Sequence, residues 1–135
     1  MTEHVLHPLL VEGIIQHHDD ETPRLLLRDN RSRALEIPIG LCEAKAVQMG
    51  LDNEPALRPM THDLMLVLAG QLDAQVTRVV IDDISGGTYF ARLTLTTATE
   101  VIHLDCRPSD GIALAIRARA PILATAAVIE DGENN

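Results

Sequence analysis

Two short strings hold most of the chemically useful side chains of this sequence: Arg58-Pro59-Met60-Thr61-His62-Asp63 and Asp105-Cys106-Arg107-Pro108-Ser109-Asp110. Each sets Arg-Pro just ahead of a hydroxyl, an acid and an apolar run. Proline disfavours helix for the residue before it, so both strings read as helix starts. The free N–H groups of a helix N-terminus, beside an arginine, form a ready anion site. If the two starts lie close together, Arg58, Arg107 and Ser109 would hold a phosphodiester. Asp105, Asp110 and Asp63 would offer oxygen ligands to a divalent cation such as Mg²⁺ or Mn²⁺, Asp105 and Asp110 foremost. His62 or Asp63 would then move a proton. A plain structural reading uses the same residues. Thr61 and Ser109 cap helices, Asp63 and Asp110 favour their positive ends, and Asp105 pairs with Arg92 or Arg107. Spacing alone leans toward structure.

Other candidates are weaker. His17-His18-Asp19-Asp20 reads as an acidic hairpin loop before it reads as a metal site. His103 and Asp105 share one strand face, as a hydrogen-bonded pair would. The chain has no P-loop, no G-x-G-x-x-G, no H-E-x-x-H and no G-x-S-x-G, so the familiar nucleotide-binding, metalloprotease and hydrolase signatures are missing. The only cysteines, Cys42 and Cys106, lie far apart, which suits reduced packing thiols better than a disulfide or zinc site.

The elements that must position these residues follow from periodicity. HVLHPLLVEGIIQ, RLLLRD and RALEIPI, separated by polar loops, predict three hairpin strands. Gly40 precedes LCEAKAVQM, a helix with Glu43 in its first turn and Gly50 as a left-handed stop. A second helix follows Arg58-Pro59, with Thr61 as cap and Leu64, Val67, Leu68 and Leu72 on one stripe. VTRVVIDDI, TYFARLTLTT and EVIHLDC then predict a three-stranded antiparallel meander. Keeping every apolar pair on one face sets Leu95 opposite Ile102, Leu93 opposite Leu104, Ala91 opposite Cys106 and Arg92 opposite Asp105. A three-residue Ser85-Gly86-Gly87 loop would pair Val79 with Leu93 and Ile81 with Ala91. Asp82, Arg92, His103, Asp105 and Arg107 then share the face opposite that core. The helix DGIALAIRARA is apolar nearly all round and is expected to be buried, with Gly111 allowing close approach. The fold class is α+β: one compact domain over residues 1–130, ending in that buried helix, and a disordered tail over 131–135.

Composition narrows the partners. A chain of 135 residues with 46% hydrophobic residues is long enough for one buried core. No apolar stretch approaches the ~20 residues a membrane span needs, and the N-terminus does not read as a secretory signal, so a cytoplasmic protein is expected. The net charge of −9 opposes tight binding of a polyanion, which usually meets a basic face. Tyr89 and Phe90 are the only aromatics, so base stacking is almost unavailable. Any nucleic-acid contact must centre on phosphates.

In order and spacing, IPIGLCEAKAV, RPMTHDLM, SGGTYFARL and DCRPSDGIALAIRARAPI resemble the bifunctional nuclease domain across almost the whole chain. The likeness is strongest at residues 105–122, where Cys106 and Gly111 stand in place of two alanines of the family's pattern. The resemblance implies a compact α+β fold, oligomeric assembly, and nuclease activity toward RNA and DNA; no organic cofactor is expected. Glu43, Arg58, Thr61, His62, Asp63, Asp105, Arg107, Ser109 and Asp110 match the family's polar positions. The function expected is a metal-assisted phosphodiesterase of low sequence specificity, with catalytic His62, Asp63, Asp105 and Asp110. The alternative is a non-catalytic oligomeric module that binds a small anionic ligand or a protein partner.

Overall fold

The computed structural model describes residues 5–19 and 21–133. A seven-stranded mixed sheet carries four helices, an α+β architecture. The strands are β1 (Leu6–Ile15), β2 (Arg24–Asp29), β3 (Ala34–Pro38), β4 (Gln75–Ser85), β5 (Thr88–Thr96), β6 (Val101–Cys106) and β7 (Ile122–Thr125). The helices are α1 (Leu41–Leu51), α2 (Thr61–Gln71), α3 (Pro108–Ala118) and α4 (Ala126–Glu133). The sheet order is β3-β2-β1-β7-β4-β5-β6.

The sheet has two halves. β1, β2 and β3 form an antiparallel hairpin set, and in β2 the alternation buries Leu25, Leu27 and Asp29. β4, β5 and β6 form the predicted meander, with Ala91↔Cys106, Arg92↔Asp105, Leu93↔Leu104 and Leu95↔Ile102 in register. Val79↔Leu93 and Ile81↔Ala91 pair as expected, although by another route. The turn is the two-residue Gly86-Gly87, with φ of 58° and 80°, and Ser85 pairs with Thr88. Positive φ at both central residues is what a type I′ hairpin turn requires. A register shift between Ile81 and Asp83 adds one residue to β4 and returns the apolar side chains to the core face.

Sequence periodicity gives no sign of β7. It runs parallel to β4 and antiparallel to β1, closing the two halves into one sheet through pairs such as Val80↔Leu123 and His7↔Ala124. Four residues are too few to show an alternation. α4 also continues through residues 131–133, where a disordered tail is expected; residues 134 and 135 lie outside the described residues, as does Asp20 of the His17–Asp20 loop.

α3 is the central helix. Ile112, Ala113, Leu114 and Ala115 are buried, as predicted, together with Val79, Ile81, Leu93 and Val47 of the surrounding elements. A Cβ on Gly111 would lie 2.6 Å from Val79 Cγ2 and 3.0 Å from Cys106 Sγ, so α3 touches the sheet at a point only glycine fits without displacement. Gly50 does not serve as the left-handed stop of α1. The helix ends on Asp52, and Asn53 takes the positive φ, at 50°.

α2 is arranged differently from its sequence pattern. The stripe of Leu64, Val67, Leu68 and Leu72 faces outward, and the buried residue of the helix is His62. No helix among the described residues is long and apolar enough to cross a membrane.

Candidate active site at the joined starts of α2 and α3

The two Arg-Pro strings do meet. His62 Nε2 lies 3.0 Å from Asp110 Oδ1, which ties the first turn of α2 to the first turn of α3. Arg107 Nε donates to Asp110 Oδ2 at 2.9 Å, and its Nη1 donates to Glu43 Oε1 on α1 at 3.2 Å. Three helix starts therefore converge on one arginine–carboxylate–histidine group. It borders a cleft of about 310 Å³ lined by Cys42, Glu43, Lys45, Met60, Thr61, His62, Arg107 and Asp110, among others.

The local helix geometry explains the convergence. Arg107 is the N-cap of α3, Pro108 occupies the first turn, and Asp110 is the third helical residue. In α2 the N-cap is Met60 and the third residue is Asp63, whose Oδ2 accepts from Met60 N at 3.0 Å. The two acids thus hold equivalent positions, while the arginines do not. Arg107 caps its helix and folds back on Asp110; Arg58 lies two residues ahead of its cap, exposed and without an ion-pair partner among the described residues. Neither expected hydroxyl cap forms. Thr61 and Ser109 lie inside their helices, where the cap residue itself makes no side-chain cap bond. Ser109 is buried and lines a second cleft of about 330 Å³ on the other side of Arg107.

Burial works to raise the pKa of Asp110, but the hydrogen bonds and charges of Arg107 and His62 outweigh it and hold the carboxyl below its ordinary value. Asp110 is ionised at neutral pH and accepts from both partners. Arg107 is pushed up by the hydrogen bond and charge of Asp110, with Glu43 adding to the effect. With a carboxylate at Nε2, the imidazole of His62 carries its proton there, and Nδ1 is left as the acceptor.

Asp63 belongs to a separate ion pair. Its Oδ1 accepts from Arg117 Nε at 2.8 Å, and Arg117 also donates to the carbonyls of Ala113 and Ala46. The side chain of Arg117 is 10% exposed, against 64% for Arg107. Arg117 is held between α1, α2 and α3, while Asp63, 38% exposed, borders a further cleft of about 560 Å³ together with it. Burial again opposes ionisation of Asp63, yet Met60 N–H, Arg117 and His62 together lower its pKa.

Asp105 is not in the cluster. Cys106 turns its sulfur toward Gly111, and side chains alternate along a strand, so Asp105 points to the far face of the sheet with Arg92 and His103. There Arg92 lies 3.5 Å from Asp82, and His103 Nδ1 is 3.0 Å from Thr94 Oγ1, so the expected His103–Asp105 contact gives way to a cross-strand pair. Burial, with the charges of Asp110 and Asp105, pushes the Cys106 thiol up to about 11, which leaves it unreactive at neutral pH.

A resident divalent cation does not fit this donor set. Asp110 and Glu43 both face Arg107, Asp63 faces Arg117, and Asp105 lies across the sheet. Among the described residues no group of three His, Cys, Asp or Glu side chains is placed to hold an ion. Glu43 and the buried position of His62 are the features sequence reasoning underrated. The signal for Glu43 was its place in the first turn of a helix that begins beside the others.

The bifunctional nuclease domain model matches residues 25–134. The chain belongs to the bifunctional nuclease domain family. It is 37% identical over 120 residues to Uncharacterized protein Rv1829 of Mycobacterium tuberculosis, covering 88% of this chain and 71% of that protein. Uncharacterized protein MT1877, from another strain of the same organism, matches equally. Bifunctional nuclease 1 of Arabidopsis thaliana is 28% identical over 105 residues, 74% of this chain and 32% of the plant protein. Membership in this family suggests a nuclease-like role.

Proposed function

We propose that the chain is a nuclease that cleaves RNA and DNA phosphodiesters with low sequence specificity, at the cleft between α2 and α3. The observation that carries this is the His62–Asp110–Arg107 chain of contacts at 3.0 and 2.9 Å, which joins a proton carrier to a phosphate-binding cation. Arg107, largely exposed, and Arg58, exposed just ahead of α2, bind phosphate oxygens, and the first-turn N–H groups of α3 beside Ser109 add to that anion site. His62 takes a proton from the attacking water through Nδ1 as its oxygen bonds to phosphorus; the P–O bond to the leaving nucleotide breaks, the imidazolium returns the proton to that oxygen, and Asp110 holds the Nε2–H throughout. Asp63 is a positioning residue that fixes the start of α2 through Arg117.

No step here depends on a metal. A cation that arrives with the substrate's own phosphates, keeping its waters, is the form in which Mg²⁺ or Mn²⁺ enters this reading. Local arginines have to overcome the net charge of −9, so short RNA is the better substrate and high salt weakens binding. Cytoplasmic nucleic acid is the partner in this proposal. A non-catalytic anion-binding module is the second reading, favoured by the engagement of every carboxylate in the cluster with an arginine.

The test uses protein freed of host nucleases, labelled single-stranded RNA and DNA, and Mg²⁺, Mn²⁺ or EDTA. His62→Ala and Asp110→Asn are expected to cut cleavage by roughly 10²-fold or more, the usual share of general acid–base catalysis, and Asp105→Asn to leave it unchanged. Cleavage retained by folded His62→Ala protein refutes the assignment. No cleavage by the wild type in any metal moves the reading to the binding module.

A further inference from the structure

Arg107 stands between two clefts, one shared with His62 and a second of about 330 Å³ bounded by β3, the start of β5 and the starts of α1 and α3. Ser109 lines the second cleft. It is 6% exposed, and its hydroxyl has no hydrogen-bond partner among the described residues. A buried hydroxyl is not left so without cost, and what this one faces is the cleft. Pro108 has no N–H and Gly111 N donates to Arg107 O at 3.1 Å, so the unsatisfied donors of the first turn are the N–H groups of Ser109 and Asp110. Arg107 adds another: its Nε donates to Asp110 and its Nη1 to Glu43, which leaves Nη2 without a partner among the described residues. We infer that this cleft holds one nucleotide unit, its phosphate at the start of α3 and its base on the apolar wall.

The phosphate end is that of the proposed nuclease, on whose assignment this site rests, and the cleft adds a place for the base. Ile37, Pro38, Ile39 and the ring of Tyr89 form the wall. The Tyr89 hydroxyl lies by Gly132 of α4, at the neighbouring cleft, so the ring is what this side receives. An aromatic ring and apolar surface take the face of any base. The polar side chains that could read a base edge are the hydroxyls of Thr22 and Thr88, which gives little means of telling one base from another. Glu43 is the acid of the lining, and its carboxylate accepts from Arg107 at 3.2 Å, so the cleft does not oppose a phosphate with an unpaired charge. The volume lies at the lower end of the ~300–1,000 Å³ of small-molecule pockets, room for a single nucleotide and not for a run of them.

Amide chemical-shift titrations of the full chain in EDTA test this without any cleavage. Adenosine and uridine monophosphates are expected to shift residues 37–40, 88–89 and 109–111 and to bind within about threefold of each other, since the wall stacks either base. Both should bind at least about fivefold more tightly than inorganic phosphate, the lower end of what one stacked base contributes. Ser109→Ala is expected to weaken both by about twofold to tenfold, the worth of one hydrogen bond. Thr88→Glu, at the exposed rim, leaves α3 unaltered and is expected to abolish binding by setting a carboxylate and added bulk over the cleft, so it serves if Ser109→Ala does not fold. Inorganic phosphate bound as tightly as the nucleotides, shifts centred on Thr61 and His62 instead, folded variants that bind as the wild type does, or no binding at millimolar nucleotide overturns the inference. Nucleotide binding without cleavage of RNA or DNA upholds this site while the nuclease reading fails; His62-dependent cleavage without nucleotide binding does the reverse.

Discussion

Gly111 and Cys106 stand where the family's pattern has two alanines, and the structure couples them. The Gly111→Ala methyl would sit 2.6 Å from Val79 Cγ2 and 3.0 Å from Cys106 Sγ, and Val79 is fully buried with nowhere to retreat. Overpacking of this kind costs about 1–3 kcal/mol. Against it stands a helix-propensity gain of up to about 1 kcal/mol, reduced because residue 111 lies in the first turn. The net expectation is a loss of about 0.5–2 kcal/mol. Cys106→Ala removes a half-buried sulfur and opens a small gap, at a cost of about 1 kcal/mol. The double change relieves the sulfur contact but not the one with Val79. It should therefore cost less than the sum of the singles, by about 0.5–1 kcal/mol. Urea unfolding under reducing conditions, followed by circular dichroism, measures all four proteins. Additivity within about 0.3 kcal/mol, or a Gly111→Ala protein more stable than wild type, would refute the idea that bulk has moved from one position to the other. The point matters for function because this contact seats the start of α3, and with it Arg107, Ser109 and Asp110.

Asp29, Asp63 and Asp110 all have folded-state pKa values below the ordinary 3.8, so their stabilisation is present above that value and is lost as pH falls below it and through the lower folded-state values. Acid titration of Asp110→Asn should show a smaller loss of stability below pH 4 than wild type; an identical profile would refute the shift. Asp29, with a fully buried side chain, accepts from Arg31 N, Arg33 N and Arg33 Nε at 2.8–3.0 Å, so Asp29→Ala should cost about 3–5 kcal/mol in thermal or urea unfolding. Arg119 ends α3 in the left-handed region at φ 57°, and Arg119→Gly should raise stability by about 0.5–1 kcal/mol; a decrease would mean that its side chain holds something worth more.

Where local pattern and tertiary need agree, the sequence is readable. The register of β5 and β6 follows from keeping Leu93, Leu95 and Ala91 on one face, and the burial of α3 follows from its unbroken apolar run. α2 is where they disagree. Its leucine stripe reads as a core face, but the inward positions belong to His62, Asp63 and Leu66, because Asp110 and Arg117 wait for the first two on α3 and the core takes the third. Periodicity reports that a helix is amphipathic, not which side has a partner within one chain. The same limit separates Asp105 from Asp110. They are five residues apart in sequence, yet strand alternation at Asp105 and the helix turn after Pro108 send them to different sides of the sheet. Glu43, by contrast, is 64 residues from Arg107 and reaches it at 3.2 Å. A polar cluster assembled from three helix starts is thus legible one start at a time; the contacts among them depend on how α1 and α2 pack on α3. On that view the outward leucines and the inward histidine of α2 are one fact. The helix is rotated to complete the cleft, and that same rotation leaves its apolar face exposed.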